Sequence, residues 1–106
     1  MYYVCMNNRI EQSKALASET RITILGWLVS PDRYFSHQAT GTPSKIGVCV
    51  TLLTEKLEMS QPTVSRHLEL LRRANFLSVH KVGRWSFFKR NEMGIVEYKR
   101  WLNDNL

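Results

Sequence analysis

The sequence predicts a small, mainly α domain that carries one β-hairpin, in the order α-α-α-α-β-β-α. Three observations lead there. Between Ser60 and Leu71, the apolar residues Val64, Leu68 and Leu71 recur at i, i+4 and i+7, a single stripe of a helix. Gln61, Thr63, Ser65 and Arg66 fall on its other faces, near its start. After Asn75 the period changes from 3.6 to 2: Leu77-Ser78-Val79-His80-Lys81-Val82 alternates, Gly83-Arg84 interrupts, and Trp85-Ser86-Phe87-Phe88-Lys89 follows. Two short runs joined by Gly-X read as a hairpin with a II′-type turn. The third observation is where the charge lies. The chain of 106 residues has a formal net charge of +6. Residues 60–90 hold Arg66, Arg72, Arg73, Lys81, Arg84, Lys89 and Arg90 against Glu69 alone, and elsewhere acids and bases balance.

The length suits one domain, 1–106. Tyr2, Met6 and Ile10 recur at i, i+4 and i+8 and predict a first amphipathic helix over 1–15. Ser18 caps a second, with Ile22, Leu25 and Leu28 as its stripe, Ile24 beside them, and Pro31-Asp32 ending it. Residues 31–47, with Pro31, Gly41, Pro43, Gly47 and several Ser and Thr, read as an extended loop with room for a short strand. So long a connection is unusual in a small domain. Its Tyr34, Phe35, His37 and Gln38 fit either an effector pocket or ordinary packing and solvation.

Thr51 is placed as the N-cap of a third helix, Leu52–Leu57, and Glu58-Met59 as a tight turn. Ser60 caps the fourth helix, with Pro62 in its first turn, where a missing N–H costs little. That helix runs to about Ala74. Helix, short turn and helix over 51–74 is the helix-turn-helix arrangement, and the basic hairpin at 77–89 is a wing. Trp85, Phe87 and Phe88 are assigned to the hairpin core. Asn91 caps a last helix, 91–106, whose apolar residues are Ile95, Tyr98, Trp101 and Leu102.

These elements suggest a chemistry. A helix that keeps hydrogen-bonding side chains at its exposed start is what the DNA major groove requires. Gln61, Thr63 and Ser65 are the expected base-edge readers, and Arg66 takes a guanine or a phosphate. Ser60 and the helix start favour a phosphate, and Thr51 touches another. Arg84 enters the minor groove or clamps the backbone, while Lys81 and Lys89 add sequence-independent attraction. His67 is read as a packing residue. No apolar run reaches the ~18 residues of a membrane span, and Asn7, Asn8, Arg9 and Glu11 break any signal-peptide core. Two cysteines are too few for a disulfide framework, so a reducing cytoplasm is expected. An enzyme is not: Cys49 with His37, His67 or His80 is a conceivable Cys–His pair, but nothing resembles a nucleophile turn, a phosphate loop or a paired-carboxylate site.

Four stretches together resemble the ArsR/SmtB family of winged-helix transcriptional repressors: Ala17 to Leu25, Leu52 to Leu57, Ser60 to Leu71, and Gly83-Arg84-Trp85. The similarity spans 16–102 apart from the 31–47 loop. It implies a homodimer built from the first and last helices, bound to an inverted-repeat operator in double-stranded DNA. Half-sites then lie about one helical turn, roughly 34 Å, or a multiple of it apart. It also implies repression relieved by an effector, often a metal ion.

The family's Cys-Val-Cys metal triplet reads Cys49-Val50-Thr51 here, one thiolate short of a soft-metal site unless Cys5 supplies another. The last helix has no histidine, and Glu92, Glu97 and Asp104 alone make a poor zinc site. No cofactor is therefore expected, with Cys5 and Cys49 as weak metal candidates. The effector stays open among a metal, thiol oxidation at Cys5 and Cys49, an organic ligand, or none. The alternative functions are a thiol redox sensor and a winged-helix module that engages protein. A last departure is Glu58, where the family commonly has Gly. If the turn needs φ > 0, the side chain costs on the order of 1 kcal/mol.

Overall fold

A computed structural model describes the backbone of residues 2–106 and the side chains of residues 8–106. Its elements are α1 (Tyr2–Ala15), α2 (Glu19–Trp27), α3 (Pro31–Tyr34), α4 (Pro43–Ile46), β1 (Val48–Cys49), α5 (Val50–Leu57), α6 (Gln61–Arg73), β2 (Leu77–Val82), β3 (Trp85–Arg90) and α7 (Glu92–Asn105). The expected plan is present with three additions. Residues 31–47 are not one loop: two single-turn helices, each led by a proline, occupy its ends. Proline at a first helical position is pre-set for the turn. The third addition, β1, pairs antiparallel with β3, Val48 opposite Phe88 and Cys49 opposite Phe87, so the wing is a three-stranded sheet in the order β1-β3-β2.

The 31–47 segment is knitted down by its own polar groups. The Gln38 amide donates to the carbonyls of Gly41 and Gly47, both at 3.0 Å, and its oxygen accepts the Cys49 N–H at 2.9 Å. The Asp32 carboxylate takes the Ser44 N–H and hydroxyl at the start of α4, and these bonds hold its pKa below the ordinary carboxylate value. Gln38 is thus a structural brace, and His37 is exposed.

Other expectations are met or corrected at single residues. Ser18 accepts the Arg21 N–H, Ser60 the Thr63 N–H and Asn91 the Gly94 N–H, so all three are N-caps. Such a cap contributes about 1 kcal/mol. Thr51 is not: Cys49 stands at the N-cap of α5, with extended backbone and no side-chain cap bond, because β1 feeds directly into the helix. On α2 the buried face is Ile24, Leu25 and Leu28, whereas Ile22 is 50% exposed. The helix ends at Trp27, ahead of Pro31. On α1 the face turned inward carries Gln12 and Ala15, and Ile10 looks outward. Tyr2 and Met6, placed on the same stripe as Ile10, have side chains outside the described residues.

The core gathers Ile24, Phe35, Val48, Leu53, Val64, Leu68, Leu71, Phe76 and Leu77 between the helices and the sheet. Each large aliphatic side chain fully buried there contributes about 1.5–3 kcal/mol. Gln12 is the one buried polar residue among the described side chains. Its amide donates to the Ala74 carbonyl at 2.8 Å, capping the end of α6 from α1. Across the same region the Ser13 and Tyr98 hydroxyls share a hydrogen bond of 2.8 Å, and Tyr98 meets Phe76 edge-on. No helix among the described residues is long and apolar enough to cross a membrane.

Candidate nucleic-acid interface

The reading unit is α5, its turn and α6. The chain leaves α5 through Glu58 in the left-handed region, φ 54 and ψ 42, so the turn does require the conformation that glycine would adopt without strain. α6 then buries Val64, Leu68 and Leu71 almost completely. Gln61, Thr63, Ser65 and Arg66 are all exposed. Their separation follows from the 3.6-residue period alone.

The first turn of α6 accounts for all but one of its backbone donors. Pro62 has no N–H, the Thr63 N–H goes to the Ser60 hydroxyl oxygen at 3.4 Å, and the Val64 N–H goes to the Ser60 carbonyl at 3.0 Å. The Gln61 N–H has no partner among the described hydrogen bonds and lies at the positive end of the helix dipole. The Ser60 and Thr63 hydroxyls share a further bond of 2.9 Å. Whichever donates, one O–H hydrogen of the pair stays available to an outside acceptor.

Arg21 lies outside the residues that the sequence marks as functional, yet it positions the reading helix. Its guanidinium donates to the Ala15 carbonyl at 2.6 Å and reaches His67 Nδ1 at 2.9 Å. Arginine can only donate, so His67 Nδ1 must be unprotonated. Partial burial, together with the charges of Arg21 and Arg66, holds the His67 pKa below its ordinary value. His67 is therefore a packing residue with a defined partner. No spacing in the sequence marks the pair, which lies 46 residues apart.

The basic groups of 60–90 divide once their neighbours are known. Arg72 makes a two-point bond to Glu69 at 2.9 and 2.7 Å, and Arg90 one to Glu92 at 2.7 and 3.1 Å. Lys89 donates to the Lys45 carbonyl. Arg66, Arg73, Lys81 and Arg84 enter no ion pair among the described residues and are exposed. At the tip of the wing Gly83 has φ 59 while Arg84 does not have positive φ, the pattern of a II′ turn. The Arg84 guanidinium stacks 5.3 Å over the Trp85 ring. Trp85 is 38% exposed, so it supports Arg84 instead of joining the hairpin core; Phe87 is the buried member of the three. Thr51 is exposed on α5.

The sensing candidates are placed differently. Cys49 is buried on the strand that pairs with β3, its neighbour-but-one Thr51 is exposed, and Cys5 lies outside the described side chains. Among the described residues no three His, Cys, Asp or Glu side chains converge in a way that could hold a metal ion. No Cys49–histidine hydrogen bond occurs among them, and His67 is committed to Arg21.

Comparison with known proteins agrees with this geometry. The model of the bacterial regulatory protein, arsR family, matches residues 48–79, which span β1, α5, α6 and part of β2. The uncharacterized HTH-type transcriptional regulator YbzH of Bacillus subtilis is 42% identical over 97 residues, covering 92% of this chain and 97% of that protein. The arsenical resistance operon repressor of Escherichia coli is 36% identical over 81 residues, 76% of this chain and 56% of that protein. Among solved structures, the homodimeric winged helix-turn-helix DNA-binding domain of a possible ArsR-family regulator of Mycobacterium bovis superposes with a TM-score of 0.66. It covers 97% of this chain and 82% of that one at 17% identity. The chain belongs to the ArsR family of winged helix-turn-helix transcriptional regulators.

Proposed function

We propose that this chain is a repressor that binds an inverted-repeat DNA operator as a homodimer, with one α6 in the major groove of each half-site. The observation that carries the proposal is the division of α6: Val64, Leu68 and Leu71 inside, Gln61, Thr63, Ser65 and Arg66 outside at its N-terminal half. In this reading Gln61 pairs with an adenine edge, Thr63 and Ser65 read permissively, and Arg66 takes guanine or phosphate. Ser60 and the Gln61 N–H approach a phosphate, Thr51 and Lys81 contact the backbone, Lys89 adds diffuse attraction, and Arg84 occupies or clamps the minor groove. The dimer is supported by apolar side chains left in solvent on α7, Met93 at 75% and Val96 at 50%, with Ile10 at 47% on α1. It is also supported by the homodimeric Mycobacterium bovis relative in fold, and repression by the name of the Escherichia coli relative.

The test starts by selecting an operator from randomised duplexes. Against it, Gln61→Ala is expected to weaken binding by about 1–3 kcal/mol and relax preference at one position per half-site. Arg84→Ala should weaken all sequences alike and reduce the salt slope by about one. If both variants bind like the parent, α6 and the wing are not the reading surface.

A further inference from the structure

We propose that Trp27, Tyr34 and Phe35 form a receptor for a small organic cation of the methylated-ammonium class, and that Lys56 is its built-in occupant. The Lys56 ammonium lies over all three rings, 5.3 Å from the Trp27 centroid, 5.5 Å from Tyr34 and 5.7 Å from Phe35. The rings stand as walls and not as a stack. Trp27 and Phe35 meet at 80° with centroids 6.1 Å apart, and Trp27 and Tyr34 at 40° and 6.5 Å. Phe35, fully buried, is the floor. Trp27 and Tyr34 are half-buried and Lys56 is exposed, so the site opens to solvent.

A lysine that only packs lays its methylene stem on apolar surface and keeps its charged end in water. Here the charged end itself is set over three ring faces, within the distance at which the ring quadrupole attracts a cation. Lys56 enters none of the ion pairs among the described residues. A second cation, the Arg33 guanidinium, sits 5.6 Å from the Tyr34 ring. The cluster is therefore organised around positive charge. A primary ammonium is strongly hydrated and gains little from such a site. A methylated ammonium carries the same charge on an apolar surface and is the ligand that suits an aromatic box. A ligand of this class displaces the Lys56 head group and takes its place. The rings come from α2 and the α3 turn and Lys56 from α5, so displacement frees one contact between the 31–47 segment and the reading unit. Binding at this site goes beyond the DNA-reading proposal and does not depend on it.

The test follows the Trp27 indole N–H resonance of the full chain, assigned with Trp27→Phe, during titration with tetramethylammonium chloride against sodium chloride at equal ionic strength. A saturable shift with tetramethylammonium and none with sodium is expected. Lys56→Gln, an exposed substitution, should tighten binding roughly two- to fivefold, the weight of one exposed cation–π contact. Tyr34→Leu in the Lys56→Gln background should loosen it again. Choline should bind and its neutral carbon isostere 3,3-dimethylbutan-1-ol should not. The proposal fails if folded Lys56→Gln protein shows no saturable shift, if the neutral isostere binds equally, or if Lys56→Gln leaves affinity unchanged.

Discussion

Arg21 ties the end of α1 to the reading helix through one side chain, which donates to the Ala15 and Lys14 carbonyls and to His67 Nδ1. Its bond to His67 exists only while the imidazole is neutral, and this sets a pH dependence. The folded His67 pKa is lowered, by partial burial first and then by Arg21 and Arg66. The stability it contributes is full above the unfolded value of about 6.5 and is lost as pH falls through that value toward the lower folded one. Urea midpoints of the parent should therefore drop more than those of His67→Gln between about pH 7.5 and about pH 5.5. Parallel curves would show that the contact carries no linkage. Glu58 is the second residue whose environment sets its energetics. At φ 54 its Cβ is strained, and Glu58→Gly should raise stability by about 0.5–1 kcal/mol in chemical denaturation, net of the extra freedom of glycine when unfolded. The Glu58 strain is foreseeable from the missing glycine. The Arg21–His67 pair is not, since neither residue type nor spacing announces a contact across 46 residues.

At the scale of elements, α7 is positioned by one close approach. A Cβ on Gly94 would overlap the Asn75 carbonyl oxygen, and Asn75 itself has φ 68. The Asn91 amide bonds the Asn75 side chain and the Asn91 N–H bonds the Phe76 carbonyl, so the start of α7 is clamped to the exit of α6. Gly94→Ala must push α7 away and should destabilise by about 1–3 kcal/mol. Gly26 on α2 is the control: a Cβ there would meet nothing within 4 Å, and Gly26→Ala should stabilise by about 0.5–1 kcal/mol. Thermal or urea unfolding of the two variants, moving in opposite directions, checks the packing. The helix caps are legible in the sequence because Ser18, Ser60 and Asn91 act on residues three positions ahead. The start of α5 is not, because Cys49 is held by β3, a partner nearly forty residues later that no local rule sees.

For the whole molecule, Met93 and Val96 form an apolar strip on the outer face of α7, opposite the buried Ile95 and Tyr98. If that strip closes the proposed dimer, Val96→Glu should yield a folded monomer in sedimentation equilibrium, with operator affinity reduced far more than by any single α6 substitution. A Val96→Glu protein that remains dimeric would place the interface elsewhere. The charge balance also belongs to this scale. Along the chain the net +6 concentrates in 60–90, but Arg72 and Arg90 pair with Glu69 and Glu92, their near neighbours in sequence, and leave Arg66, Arg73, Lys81 and Arg84 without an ion-pair partner among the described residues. By itself the sequence determined what periodicity and capping control: the helix-turn-helix, the hairpin with its Gly83 turn, the buried and exposed faces of α6, and through them the family. Those features depend on neighbours within one or two turns. Only the tertiary structure decided the third strand, the folding of 31–47 around Gln38, the Arg21–His67 bond, and the aromatic box around Lys56. The third strand and the Arg21–His67 bond join groups about forty residues apart or more, the box brings Lys56 of α5 to rings on α2 and α3, and Gln38 bonds backbone up to 11 residues ahead, none of which periodicity or capping encodes.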